Sequence, residues 1–346
     1  MDKRMFFLYQ GYQFFAQRFL PTALLMLCAC TGSAAPTARA TTSPEAAAAS
    51  LSPTPTPRAS PTPQLPAYYI ESLRARPYPP GRLDIQDEMF RGAGFTKYHM
   101  TWPSGGQTMT GTISVPDGDG PFPVVVVNHG FIPPERYWIG QDSGIFGDPL
   151  ATDGFISVAP NWPGYSGSGP APPDLPAIAG QVVAALDLVS ALYSYPKADP
   201  TRLAFIGHSN GGGISEIAMV VDPRIKAVVL FAPVSTDMAD NGRKWWINRP
   251  EGPGSIGRPE TNPEGYRHLS PRNYLAAGQP PVLFLQGTAD EDIPAAWTQT
   301  SHDAMQTAGI STDLVWFPGA HHDFMGADLD RANQLSEAWI RRALGL

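Results

Sequence analysis

Residues 207–211 of this sequence, Gly-His-Ser-Asn-Gly, have the composition and spacing of a strained turn that presents a serine hydroxyl for chemistry. The segment directly follows an apolar predicted strand, residues 202–206, and a predicted helix begins near Gly211. In so tight a turn, Cβ atoms two residues before and after the serine would collide, and glycine removes both. The hydroxyl then lies beside the helix amino terminus, whose dipole favours developing negative charge. We predict that Ser209 is a nucleophile.

A serine hydroxyl is a weak nucleophile at neutral pH, so it needs a base that is itself oriented by an acid. The loop at residues 286–294 follows the predicted strand 282–285 and is rich in carboxylates. We predict that Asp290 is the acid of the site. Asp292, two residues further on, is the second candidate for this role.

Two consecutive histidines follow the last predicted strand, residues 314–317, where the base of such a site is expected. We predict that His322 is the base, and His321 is the alternative. A His-His pair can also belong to a metal site, but no helical His-x-x-x-His or compact carboxylate cluster completes one in the sequence. The sequence therefore predicts neither a metal nor another cofactor.

The tetrahedral intermediate of acyl transfer needs two backbone N–H donors aimed at its oxyanion. One donor is expected from Asn210, the residue after the nucleophile. The other is expected from the loop at residues 128–131, where a glycine lets the chain turn sharply after a buried strand, and we assign it to Phe131. His129 in the same loop is interpreted as a packing and hydrogen-bonding residue.

Strands and helices alternate from about Tyr68, which is the pattern of an α/β fold with a mostly parallel sheet and helices on both faces. Residues 124–127 are four valines, as expected of a central strand buried on both faces. Eight strands are predicted, at 95–101, 109–115, 124–127, 155–159, 202–206, 227–231, 282–285 and 314–317. The first two are expected to form an antiparallel pair with a turn at 105–106. Helices are predicted at 175–192, from near 211, and at 328–344.

An insertion at residues 232–279 separates two of the predicted strands and could cover the site as a lid. It contains Trp245 and Trp246 among glycine- and proline-rich turns. Together with Trp162, these side chains are candidates to line an apolar acyl pocket, and packing in the protein interior is the alternative for each.

The amino-terminal residues predict export. Basic residues precede an apolar stretch at 19–27, which is too short to span a bilayer but suits a signal-peptide core. Residues 27–30, Leu-Cys-Ala-Cys, resemble a bacterial lipobox, so Cys30 is the predicted lipid-attachment site. We expect an extracytoplasmic protein, anchored by lipid to the outer face of the bacterial cell membrane. The alternative is an ordinary secretory signal cut near residues 32–34.

The sequence divides into three predicted regions. Residues 1–30 form the signal, residues 31–66 a linker rich in proline, threonine and alanine, and residues 67–346 the catalytic domain. The linker has little apolar surface to offset the entropy of ordering it, so we expect it to be disordered.

Composition excludes several other classes of protein. The chain has 346 residues, of which 42% are hydrophobic and 16% charged, as in ordinary globular proteins. With a net charge of −7 and no basic stripe, we expect no nucleic-acid partner. The only cysteines, Cys28 and Cys30, lie in the predicted signal, so the catalytic domain has no disulfide framework.

In the serine turn and the loops that carry the predicted acid and base, the sequence resembles the α/β-hydrolase superfamily. The resemblance is in particular to the catalytic domain of the prolyl oligopeptidase family and to the dienelactone-hydrolase-like esterases. The similarity runs from about Phe95 to Leu344. Besides the serine turn it is carried by the segments 199–202, 222–228, 270–271 and 287–290. The resemblance implies a triad in which Asp290 and His322 are the acid and the base.

This resemblance implies a serine hydrolase that works through an acyl-enzyme. Peptidase members of the family carry a large β-propeller before the hydrolase domain, and no such domain fits between the linker and Phe95. We therefore expect a carboxylic ester substrate, either a small molecule or a polymer. Hydrolysis of short peptides is the alternative function, and a catalytically inactive binding module is the third.

Overall fold

A nine-stranded mixed sheet forms the centre of the protein in a computed structural model that describes residues 65–246 and 256–346. The strand order is β1-β2-β3-β5-β4-β6-β7-β8-β9. The predicted signal, Cys30 and almost all of the predicted linker lie outside the described residues. The described residues all belong to one compact unit.

Three antiparallel strands open the sheet: β1 (Asp84–Arg91), β2 (Phe95–Ser104) and β3 (Gln107–Pro116). The predicted pairing of β2 with β3 is confirmed, since Ser104 faces Gln107 across a two-glycine turn. Both turn glycines have positive φ, at 56° and 77°, which glycine adopts without a Cβ penalty.

Strand β1 was not predicted, so the expectation of eight strands is wrong by one. Its sequence, Asp-Ile-Gln-Asp-Glu-Met-Phe-Arg, is mostly polar, and all eight residues are at least partly exposed. An outer strand of this kind lacks the apolar alternation by which strands are recognised.

Six further strands carry the parallel part of the sheet. They are β4 (Phe122–Asn128), β5 (Ile156–Pro160), β6 (Ala198–His208), β7 (Ala227–Phe231), β8 (Val282–Gly287) and β9 (Thr312–Phe317). Val124 and Val126 belong to the apolar cluster on one face of the sheet, and Val125 and Val127 to the cluster on the other. Burial on both faces is why this run has no polar residue.

Eight α-helices connect and cover the strands in the described part of the chain. They are α1 (Ile70–Ala75), α2 (Ser143–Thr152), α3 (Ala177–Leu192), α4 (Asn210–Val221), α5 (Met238–Asn241), α6 (Pro263–Leu269), α7 (Ala295–Thr307) and α8 (Gly326–Leu344). Residues of α3 and α4 pack in the first cluster, whereas residues of α2 and α8 pack in the second. Within residues 65–246 and 256–346, no helix has the length and hydropathy of a membrane span.

The parallel arrangement places the loops that follow β4, β6, β7, β8 and β9 at one edge of the sheet, as expected for the binding edge of an α/β fold. The insertion after β7 contains α5, a π-helical turn at Gly242–Trp246, and α6. Residues 247–255 of this insertion are outside the described residues, so the lid remains a prediction.

Candidate active site

The candidate nucleophile lies in a strained turn between β6 and α4. Ser209 has φ of 53° and ψ of −119°, a conformation that non-glycine residues rarely adopt. A Cβ on Gly207 would lie 2.2 Å from the carbonyl oxygen of Gly211, and one on Gly211 would lie 2.1 Å from that of Asn128. Backbone atoms cannot move aside as flexible side chains do, so both positions require glycine.

The predicted acid and base form a buried pair. Nδ1 of His322 lies 3.0 Å from Oδ2 of Asp290, and the side chains are 10% and 1% exposed. Burial alone would raise the pKa of Asp290, but hydrogen bonds from His322, from the Ile293 N–H and from Gln286 lower it below its ordinary value. Asp290 is therefore a carboxylate at neutral pH, able to hold Nδ1–H of the imidazole and leave Nε2 as the base.

The alternative acid and base lie elsewhere. The Asp292 side chain is on the exposed surface, and its N–H donates to Asp290. His321 is 69% exposed and pairs with Glu291 at 3.2 Å. Of the two carboxylates and two histidines considered from the sequence, the structure thus brings together Asp290 and His322.

The Asp290–His322 pair lies beside the serine turn. The ring of His322 is 5.0 Å, centroid to centroid, from the ring of His208, the residue before Ser209. In the described part of the chain no hydrogen bond joins Ser209 to His322. Such contacts are often long before substrate binds.

Both predicted oxyanion donors are available at this edge. Asn210 is the first residue of α4, where an N–H has no partner within the helix. Phe131 follows β4 by three residues, and neither N–H donates to another described residue. The loop carrying Phe131 approaches the nucleophile closely, because a Cβ on Gly130 would lie 3.3 Å from Cβ of Ser209.

A second buried His-Asp pair adjoins the site, and sequence reasoning missed it. Nδ1 of His208 lies 2.9 Å from Asp142, and the side chains are 7% and 14% exposed. Burial alone would lower the pKa of His208, but the carboxylate of Asp142 raises it to about 9. Asp142 lies 66 residues from His208, and no local sequence pattern indicates their contact, because α2, which begins directly after Asp142, was itself not predicted.

The three pocket tryptophans differ in position. Trp162 is 3% exposed and stacks on His129 at 4.2 Å, so its prediction as a pocket residue is corrected to packing beneath the loop after β4. Trp245 is half-buried and meets Trp297 edge-to-face at 5.6 Å. The Trp246 side chain lies outside the described residues.

Metal ligands do not cluster in the parts of the chain that the structure describes: no group of three or more histidine, cysteine, aspartate or glutamate side chains there could hold an ion.

The mixed sheet, with a glycine-flanked serine turn after β6, has the α/β-hydrolase fold. Residues 148–346, more than half of the chain, match the prolyl oligopeptidase family, and the protein belongs to that family. The family resemblance seen in the sequence is thereby confirmed, and with it the assignment to the hydrolases.

Relatives and structural neighbours include esterases and peptidases. The chain is 26% identical over 242 residues to a carboxymethylenebutenolidase-like protein of Escherichia coli O157:H7, covering 67% of this chain and 77% of the relative. Acetyl xylan esterase 1 from Thermoanaerobacterium sp. JW/SL YS485 superimposes with a TM-score of 0.59 at 16% identity, covering 78% of this chain and 90% of that one. A prolyl endopeptidase superimposes with a TM-score of 0.59 at 18% identity, covering 75% of this chain and 40% of that one.

Proposed function

We propose that the protein is a carboxylic ester hydrolase in which Ser209, His322 and Asp290 form the catalytic triad. The observation that carries this proposal is the buried hydrogen bond between Asp290 and His322, beside a glycine-flanked serine turn. An imidazole held through Nδ1 by a carboxylate leaves Nε2 free to accept a proton, and the hydroxyl of the neighbouring serine turn is the group that would supply it.

The reaction follows from these positions. Oγ of Ser209 attacks the ester carbonyl carbon while its proton passes to Nε2 of His322, and Asp290 stabilises the imidazolium. The oxyanion accepts hydrogen bonds from the N–H groups of Phe131 and Asn210. The intermediate collapses as the C–O bond breaks, and the alkoxide takes the proton from His322. Water then repeats the sequence on the acyl-enzyme, releasing the acid and restoring the hydroxyl.

The similar proteins favour an ester over a peptide, since they include a carboxymethylenebutenolidase-like relative and an acetyl xylan esterase. An amide also needs firmer alignment and protonation of its leaving group than an ester does.

Exposed apolar side chains at the binding edge favour an ester with an apolar group. Phe131 follows β4 and is 57% exposed, and Met325 follows β9 and is 78% exposed. Apolar side chains around a few polar groups are typical of small-molecule sites.

Peptide hydrolysis is the second candidate, and membership of the prolyl oligopeptidase family favours it. The two functions are separated by comparing kcat/KM for short-chain nitrophenyl esters with kcat/KM for aminoacyl and prolyl nitroanilides, in the wild type and in Ser209→Ala. We expect the esters to be faster by at least an order of magnitude, and the variant to be inactive on both. Faster nitroanilide hydrolysis would replace the esterase proposal with the peptidase one.

Loss of all Ser209-dependent turnover, together with no labelling by a fluorophosphonate, would leave only a binding function. The same probe separates an inactive serine from an unsuitable substrate, because it reacts with the activated hydroxyl whatever the acyl preference.

We also propose export and lipid anchoring through Cys30, on the basis of the apolar segment and the lipobox-like tetrapeptide. A bacterial host expressing the full chain is grown with labelled palmitate. The expected result is label in the membrane fraction for the wild type and for Cys28→Ala, but not for Cys30→Ala. Label retained by Cys30→Ala would contradict anchoring at this residue.

A further inference from the structure

Gly130, directly before the predicted oxyanion donor, is held by hydrogen bonds at both its N–H and its C=O. Its N–H donates to Oδ2 of Asp142 at 2.6 Å. Its carbonyl oxygen accepts from Nδ1 of His129 at 2.7 Å. Both partners are side chains, so this short loop segment owes its orientation to two specific residues.

The bond to the carbonyl oxygen sets the direction of the next N–H. In a planar trans peptide, the C=O of Gly130 and the N–H of Phe131 point in opposite directions. With the oxygen turned towards His129, the N–H of Phe131 turns away from it. The hydrogen bond from His129 therefore determines where the second oxyanion donor points.

His129 is suited to hold this peptide firmly. Its ring is fully buried and stacked between Trp162 at 4.2 Å and Tyr137 at 4.6 Å. Burial lowers the pKa of His129 to about 4, so the ring is neutral at physiological pH. A carbonyl oxygen can only accept, which places the single ring proton on Nδ1.

Asp142 holds the other side of Gly130 from an unusual backbone position. It lies at the amino-terminal cap of α2 with φ of 67°, yet its side chain does not cap that helix. The carboxylate instead joins the N–H of Gly130 to Nδ1 of His208. A strained residue whose side chain serves a neighbouring loop is typical of functional sites.

His208 links this arrangement to the nucleophile turn. It precedes Ser209 in the chain, and a Cβ on Gly130 would lie 3.1 Å from its Nδ1. The ion pair with Asp142 therefore joins the loop after β4 to the end of β6, the two segments that supply the oxyanion donors.

We propose that His129 and Asp142 are positioning residues, which orient the Gly130–Phe131 peptide so that the N–H of Phe131 meets the oxyanion. Each acts through the backbone of Gly130: His129 is fully buried and donates to its carbonyl oxygen, and Asp142 accepts from its N–H. The proposal rests on the proposed ester hydrolase function.

His129 offers a matched pair of variants that separates its hydrogen bond from its packing. Nδ2 of asparagine is at the place of Nδ1 of histidine, so His129→Asn keeps the donor and loses the ring stack. His129→Phe keeps an aromatic ring and loses the donor. We expect kcat to fall about 100-fold in His129→Phe, approaching the loss caused by removing one oxyanion donor, with KM little changed. We expect His129→Asn to retain kcat within about tenfold of wild type, although it melts at a lower temperature.

Asp142 provides the second test. Asp142→Asn keeps an oxygen that can accept from Gly130, whereas Asp142→Ala removes it. The expected order of kcat is wild type, then Asp142→Asn, then Asp142→Ala, which loses about 100-fold. Inhibition by an aryl trifluoromethyl ketone, which forms a tetrahedral oxyanion on serine, should weaken in parallel with kcat/KM. If one histidine variant does not fold, the Asp142 pair decides the question.

Folded His129→Phe and Asp142→Ala proteins with kcat within threefold of wild type would overturn the proposal, as would equal losses in His129→Asn and His129→Phe. Failure of the proposed function looks different: the wild-type protein itself would then hydrolyse no ester in a Ser209-dependent way. Circular dichroism and melting temperature identify variants whose loss of activity follows from misfolding.

Discussion

Asp290 and His322 are joined by a 3.0 Å hydrogen bond in which the carboxylate is almost wholly withdrawn from water. The neighbouring carboxylate, Asp292, is exposed and provides a matched control. We expect Asp290→Asn to lower kcat by about four orders of magnitude, because an amide favours the wrong imidazole tautomer. Asp292→Asn should stay within threefold of wild type. Steady-state ester hydrolysis measures both, and equal losses would contradict the assignment of the acid.

The adjacent histidines provide a second comparison of the same kind. His322→Gln removes the base and should reduce kcat at least 1,000-fold, as loss of a triad member does. His321→Gln changes an exposed side chain that pairs with Glu291 and should leave kcat within threefold. Initial rates on a nitrophenyl ester test the pair, and a larger loss in His321→Gln would exchange their roles.

Gly211 tests the need for glycine in the serine turn. In Gly211→Ala the new Cβ would lie 2.1 Å from the backbone oxygen of Asn128, so the turn must open. We expect loss of ester hydrolysis and destabilisation of at least about 2 kcal/mol. Gly144 of α2 is the control, because a Cβ there meets only side-chain atoms at 3.4 Å or more. Gly144→Ala should be neutral or slightly stabilising in urea unfolding.

Glu216 should make stability depend on pH. Its carboxyl is fully buried in α4, neither oxygen has a hydrogen-bond partner among the described residues, and burial raises its pKa well above 4.5. Between pH 4.5 and this raised pKa, Glu216 is therefore protonated in the folded protein and ionised in the unfolded chain. Stability is fully present below about pH 4.5 and is lost as the pH rises from there to the folded pKa, by about 1.4 kcal/mol per pH unit.

Glu216→Gln removes this titration while keeping the size of the side chain. The variant should be more stable than wild type at pH 7, and the difference should shrink towards pH 4.5. Urea unfolding at several pH values measures it. A difference that does not vary with pH would contradict a neutral, buried carboxyl.

His208 should add a second pH dependence in a higher range. Its pKa is raised to about 9 from an ordinary value of 6.5, so its contribution to stability is complete below pH 6.5 and is lost as the pH rises through about 9. At about 1.4 kcal/mol per unit, this amounts to something on the order of 3 kcal/mol. His208→Asn keeps a donor towards Asp142 without titrating there, and should lack this loss in unfolding curves between pH 6.5 and 9. An unchanged slope in the variant would contradict a charged His208.

The candidate site was largely predictable from the sequence, because its geometry is encoded locally. Glycines at 207 and 211 are required by backbone contacts within one turn, and four consecutive valines identify a doubly buried strand. The order of serine, aspartate and histidine then follows from loops at one edge of a parallel sheet. Each of these signals lies within a few residues of the feature that it predicts.

Features that depend on distant contacts were not predictable in this way. Nothing near Asp142 in the sequence indicates that its carboxylate reaches Gly130 and His208. Trp162 is a large aromatic residue of the kind that lines apolar pockets, and its burial against His129 is decided by tertiary packing. Helix α2, which begins after Asp142 and includes a proline, was missed because its sequence resembles a loop.

The polar sequence of β1 bears on self-association. As the outermost strand next to β2, it exposes backbone groups that could template strand-to-strand polymerisation. Its side chains include Asp87, which pairs with His99, and Glu88, which pairs with Arg91. A second molecule that paired its own strand with β1 would have to desolvate these charged side chains. The polar sequence that kept β1 from being predicted therefore also protects the sheet from growing into fibrils.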